Sequence, residues 1–102
     1  MDTNRTIIAI NDFIRGASDT LEGFALFNVL NEKISKGEKI ALSFHEYDAP
    51  LSTSFLSSSF GALYDTHGFN AIKEYISLIN FQPNQAKKIK EYLEKVKNLQ
   101  SI

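Results

Sequence analysis

Short apolar runs alternate with stretches of helical periodicity along this chain. Thr6-Ile7-Ile8-Ala9-Ile10 is β-branched and ends at Asn11-Asp12, which predicts a strand buried on both faces. Residues 15–18 predict a loop. Ser18 or Asp19 is placed to cap a helix over residues 20–35, with Glu22 positioned for a capping box. Gly37 falls where a helix end needs positive φ, so Lys36-Gly37-Glu38 predicts a turn. Residues 39–44 follow as a second strand. Asp48-Ala49-Pro50 then predicts a loop, because proline cannot donate to a sheet. A second helix is expected over residues 54–66, with Leu56, Phe60 and Leu63 on one stripe and Gly68 closing it. From Phe69 to Ile79 the helical and strand periods both fit, and we assign the third strand to residues 74–79. Pro83 suits the first turn of a last helix whose stripe runs Ala86, Ile89, Leu93, Val96 and Gln100.

This alternation predicts an α/β protein of β-α-β-α-β-α order: a small two-layer or three-layer sandwich with a short, mostly parallel sheet. The first strand is expected at its centre, flanked by the second and third. The first helix departs from the pattern. Phe24, Phe27, Leu30 and Ile34 make one apolar face, while Leu21, Ala25, Leu26 and Val29 make another. Either that helix is sunk deeply in a small core, or its second face is covered by a partner, for instance a second copy in a homodimer.

Composition narrows the classes. The 102 residues, 43% hydrophobic and 23% charged, predict one folded domain over residues 1–102 and exclude a disordered or fibrous chain. With 11 basic and 12 acidic residues the formal charge is −1, so no global charge calls for nucleic acid or a membrane surface. The last helix carries Lys87, Lys88, Lys90, Lys95 and Lys97 against Glu91 and Glu94, read as a solvated face rather than a nucleic-acid footprint. No cysteine is present, no apolar run reaches membrane-spanning length, and Met1-Asp2-Thr3-Asn4-Arg5 opens no secretory leader. A cytoplasmic protein is the expectation.

Candidate chemistry centres on Ser52-Thr53-Ser54, at the start of the second helix. Unpaired N–H groups and the positive dipole end there favour an anion or a phosphorylated side chain, while a simple helix cap uses the same residue types. His45, His67, Asp48 and the serines are the ingredients of a hydrolase. No Gly-x-Ser-x-Gly elbow, no metal-ligand spacing and no phosphate-binding glycine loop accompanies them, so neither an enzyme nor a cofactor is expected.

The stretch Leu51-Ser52-Thr53-Ser54-Phe55-Leu56-Ser57-Ser58-Ser59-Phe60-Gly61-Ala62-Leu63-Tyr64 lies between Ile40-Ala41-Leu42-Ser43-Phe44 and His67-Gly68-Phe69. It resembles a STAS-like bacterial family of unknown function, in which a hydrophobic strand leads into a serine-rich turn and a Phe-Gly-x-Leu helix. Tyr75-Ile76-Ser77-Leu78-Ile79-Asn80 and the last helix are similar to that family too, so the resemblance spans residues 6–97. It implies a STAS-like fold. STAS domains proper, typified by anti-sigma factor antagonists, bind an ATP-using kinase and are switched by phosphorylation of one serine or threonine. Thr53 matches that phosphoacceptor position; Ser52 stands where those domains carry an aspartate, and Ser57-Ser58 stand where the family carries an acidic pair. The resemblance thus implies a non-enzymatic regulatory interaction module that meets an ATP-using kinase or ATPase. The contact surface is expected at the serine turn, Ser57, Ser58, Leu26 and Val29. The alternative is a small-anion or nucleotide-binding domain using the same helix N-terminus.

Overall fold

In the computed structural model, residues 5–13, 19–47 and 51–100 are described. Three short strands, β1 (Thr6–Ala9), β2 (Ile40–Ser43) and β3 (Ile76–Ile79), pair in parallel in the order β1-β2-β3. Thr6 stands beside Ile40 and Ile40 beside Ile76, and the register continues to Ala9, Ser43 and Ile79. The central strand is therefore β2, not the first strand as expected. All four β2 residues are buried, whereas β1 is an edge whose Ile7 is 69% exposed. Ile10 lies beyond β1, in a 3-10 turn (Ile10–Asp12), yet is fully buried.

Strand order decides where the helices go. In parallel sheets, two successive right-handed crossovers, each to the next strand in the same direction, place their helices on one face. A central first strand would instead have put them on both. Side chains alternate along each strand, and the strand residues in the core, Ile8, Ile40, Leu42 and Ile76, share one face in this register. Ile7, Ala41 and Ser77 point the other way.

Helix α1 (Thr20–Ser35) has the boundaries its periodicity predicts. Asp19 caps it: Glu22 N–H donates to Asp19 Oδ1 at 2.9 Å, and Asp19 N–H donates to Glu22 Oε1 at 3.2 Å. At the other end Gly37 has φ 75°, and Gly37 and Glu38 N–H groups donate to the Ile34 and Lys33 carbonyls, a Schellman closure. The expected loop at residues 15–18, with Ser18 as the other cap, and the turn at Asp48 and Pro50 lie outside the described residues.

Between β2 and β3 the single expected helix is replaced by a longer run. It comprises α2 (Thr53–Leu56), a π-helical segment (Ser57–Gly61) and α3 (Ala62–His67), then Gly68 at φ 89° and α4 (Phe69–Tyr75). The ambiguous stretch after Gly68 satisfies both of its periods in succession, helix to Tyr75 and strand from Ile76. The last helix, α5 (Pro83–Gln100), begins at the expected proline and buries Ile89 and Leu93. Gln85 is buried with them; its Nε2 donates to the Tyr47 carbonyl at 2.8 Å and its Oε1 accepts from Gln82 N–H at 2.9 Å. Arg5 Nη1 donates to the Ile40 and Tyr75 carbonyls, tying the entry of β2 to the end of α4.

The core face of α1 is one stripe, Gly23, Leu26, Leu30 and Ile34. Leu26 of one expected face and Leu30 and Ile34 of the other share this stripe, so the helix is sunk in the core. Leu26 is fully buried, Phe27 and Val29 pack partly buried against the core, and the surplus apolar surface is Leu21 and Phe24, in the first turns. Facing the stripe, the π-helical segment widens: Ala62 N–H bonds to the Ser57 carbonyl five residues back. Ser58 Oγ donates to the Ser54 carbonyl at 3.0 Å and Ser59 Oγ to the Phe55 carbonyl at 2.7 Å. Such back-bonding occupies carbonyls and bends a helix.

Gly23 is where α1 meets this segment. A Cβ there would overlap Ser58 Oγ and lie 2.6 Å from the Phe55 carbonyl oxygen. Gly23→Ala is therefore expected to destabilise the protein by about 1–3 kcal/mol, overpacking outweighing the roughly 1 kcal/mol of added helix propensity. Ser58→Ala should not restore the loss, because the backbone oxygen remains in the way. Urea midpoints of the single and double variants measure both effects.

Candidate functional site

The serine turn opens the helical run after β2. Ser52, extended at φ −77° and ψ 157°, is the N-cap, and its Oγ accepts the Phe55 N–H at 3.0 Å. The capping use of this cluster thus falls to Ser52. Phe55 and Leu56 then drive into the core, each contributing about 1.5–3 kcal/mol by burial, and so fix which way the polar residues point. Thr53, Ser54 and Ser57 are exposed. Among the described residues the Thr53 hydroxyl has no hydrogen-bond partner, so it is open to solvent or to a modifying enzyme.

Thr53 and Ser57 form a ridge between two shallow grooves. Toward α1 a groove of about 530 Å³ is lined by Thr20, Phe24, Ser54 and Asp65 as well as the ridge. Phe24 is 47% exposed, an aromatic side chain beside several hydroxyls. Toward α5 a groove of about 480 Å³ brings Lys88, Glu91, Lys95 and Leu99 against the same ridge. The turn therefore meets an exposed aromatic ring on one side, and two lysines with one glutamate on the other.

Of the four residues expected to carry partner contacts, only Ser57 is openly exposed. Ser58 is 6% exposed, its hydroxyl turned inward to backbone carbonyls, and Leu26 lies in the core, so both are corrected from surface to interior. Val29 is half-buried against the core. On α1 the exposed aromatic side chain is Phe24, which by helical period groups with Phe27, Leu30 and Ile34. Its neighbour across the groove is set by the crossing of two helices, which one helix's periodicity does not record. Lys88 and Lys95 were legible as part of a lysine face but not as neighbours of Thr53.

The hydrolase ingredients lie apart. His67 Nε2 is 2.7 Å from Asn31 Oδ1 on α1; that oxygen only accepts, so the imidazole donates. His45 sits on an exposed turn, its Nε2 3.8 Å from a Glu46 carboxylate oxygen. Asp48 lies outside the described residues. Among the described residues no group of three or more His, Asp or Glu side chains is placed to hold a metal ion. Among them, too, no helix is long and apolar enough to cross a membrane.

A family model described as a STAS-like domain of unknown function matches residues 25–86, a span that runs from α1 through the serine turn and β3 to the start of α5. No curated protein and no solved structure matches the chain.

The two hydroxyls at the helix start are expected to separate on substitution. Ser52→Ala removes the cap and should cost about 1 kcal/mol, whereas the exposed Thr53→Ala should stay within about 0.5 kcal/mol of the parent. Chemical denaturation followed by circular dichroism measures both.

Proposed function

We propose, from the premise that this chain belongs to the STAS-like domain family of unknown function, that it is a non-enzymatic regulatory module that docks a protein partner through the Thr53–Ser57 ridge. The observation that carries this reading is the exposed aromatic ring of Phe24 beside the free Thr53 hydroxyl, in a groove where Asp65 is the one charged lining residue. A partly exposed aromatic residue ringed by small polar groups is the composition of an interface anchor. Such a surface needs no bound cofactor. The spread of the two histidines, each turned to a neighbour away from the ridge, supports docking over catalysis.

Thr53 is the residue through which the contact is switched. A phosphate there adds about −1.5 to −2 charge at the positive end of the helical run, on the ridge shared with Lys88 and Lys95. It would be held by those groups and would change the surface a partner meets. By its likeness to STAS domains, the partner is an ATP-using kinase or ATPase. Capture of a small anion at the same helix start is the weaker reading, since Ser52 already occupies the Phe55 N–H.

Immobilised wild-type protein, Phe24→Ser and Thr53→Glu, each exposed to native host extract with and without ATP, test the proposal. Wild type is expected to retain a protein that the two variants retain at least ten-fold less, with a phosphate found at Thr53 by mass spectrometry after ATP. Equal retention by all three proteins, or phosphate confined to other residues, overturns it.

A further inference from the structure

Away from the serine turn, a groove of about 520 Å³ lies between α5 on one side and α4 with β3 on the other. Its floor is apolar, built from Ile72, Ile76, Ile89 and Leu93, and this volume falls in the range of small-molecule sites. Along α5 it is bounded from Ala86 to Lys97, which at 1.5 Å per helical residue makes it roughly 16 Å long. Its ends differ. Where α5 finishes, Lys97 Nζ is 4.6 Å and Lys73 Nζ 5.6 Å from the centroid of the Phe69 ring. Each cation is held at the ring by its quadrupole, so two positive charges gather at one end of an apolar trough. Lys90 adds a third on the rim, against Glu94 as the one acid among the lining residues.

That polarity selects its occupant. A ligand charged along its length would lay charge on an apolar floor, which is costly, while an uncharged chain would make no use of the lysines. We infer that this groove binds a single-headed amphiphilic carboxylate, its headgroup at Lys73 beside the Phe69 ring and its apolar chain along Ile72, Ile89 and Ala86. The inference is independent of docking at Thr53, whose residues line other grooves.

Amide NMR titration of the full chain with decanoate below its micelle concentration tests it, with decanol and acetate alongside. Saturable shifts at Phe69, Ile72, Ala86 and Ile89 are expected with decanoate, at least ten-fold weaker binding with decanol and none with acetate. Lys73→Glu should weaken decanoate binding more than ten-fold and Lys73→Gln several-fold, while Ala86→Trp should fill the trough and abolish it. Lys73 is exposed, so its variants keep the test valid if Ala86→Trp fails to fold. Equal binding of decanol and decanoate, shifts confined to other residues, or unchanged affinity in Lys73→Glu overturns the proposal.

Discussion

The seat of α1 on the serine-rich helical segment holds the rest of the molecule in place. At Gly23 the α1 backbone approaches the Phe55 carbonyl so closely that no side chain fits between them. This close crossing brings Leu26 and Leu30 into one cluster with Phe55 and Phe60, over the core face of β2. Burial of large apolar side chains is the dominant favourable term in folding, and here it depends on a side chain that is missing. Gly61, opposite α5, is less constrained: a Cβ there would lie 2.5 Å from the Tyr92 hydroxyl oxygen, the far end of a side chain that can move aside.

The same crossing sorts the serines. Ser58 faces the tight contact and Ser59 is buried beside it in the chain, and their hydroxyls bond to carbonyls of the preceding turn instead of remaining unsatisfied. Ser52 caps the helix start. Thr53, Ser54 and Ser57 fall on the outer side, and they are left for whatever the surface meets. One run of similar residues thus divides into packing, capping and contact by its angle to α1.

Much of the fold was legible in the chain, and for local reasons. The boundaries of α1 follow from Asp19, Glu22 and Gly37, whose capping chemistry acts within a few residues. Pro83 marked the start of α5 and Gly68 the break before α4 in the same way. Strand order was not legible, because pairing β1 with β2 and β2 with β3 joins residues more than thirty positions apart and no local signal encodes the choice. The π-helical widening was missed because it answers the neighbouring helix. Of the candidate site, the position of the serine turn at a helix start was readable, but not which of its hydroxyls serves as the cap. The burial of Leu26 and Ser58 and the exposure of Phe24 were not, since a helix apolar nearly all round does not reveal its inner stripe.

By itself the sequence determined an α/β chain of the STAS-like family, the helix ends written in capping residues, and a serine turn at a helix start. Hydrogen bonding and backbone preference over short separations suffice for those features. Only the tertiary structure decided that β2 is central, that Ile8, Ile40, Leu42 and Ile76 share one face of the sheet, and which serines turn outward. It also decided that Phe24, Lys88 and Lys95 surround Thr53. These are matters of which distant surfaces come together, and that is settled by packing whole elements against one another, with Gly23 admitting the closest contact.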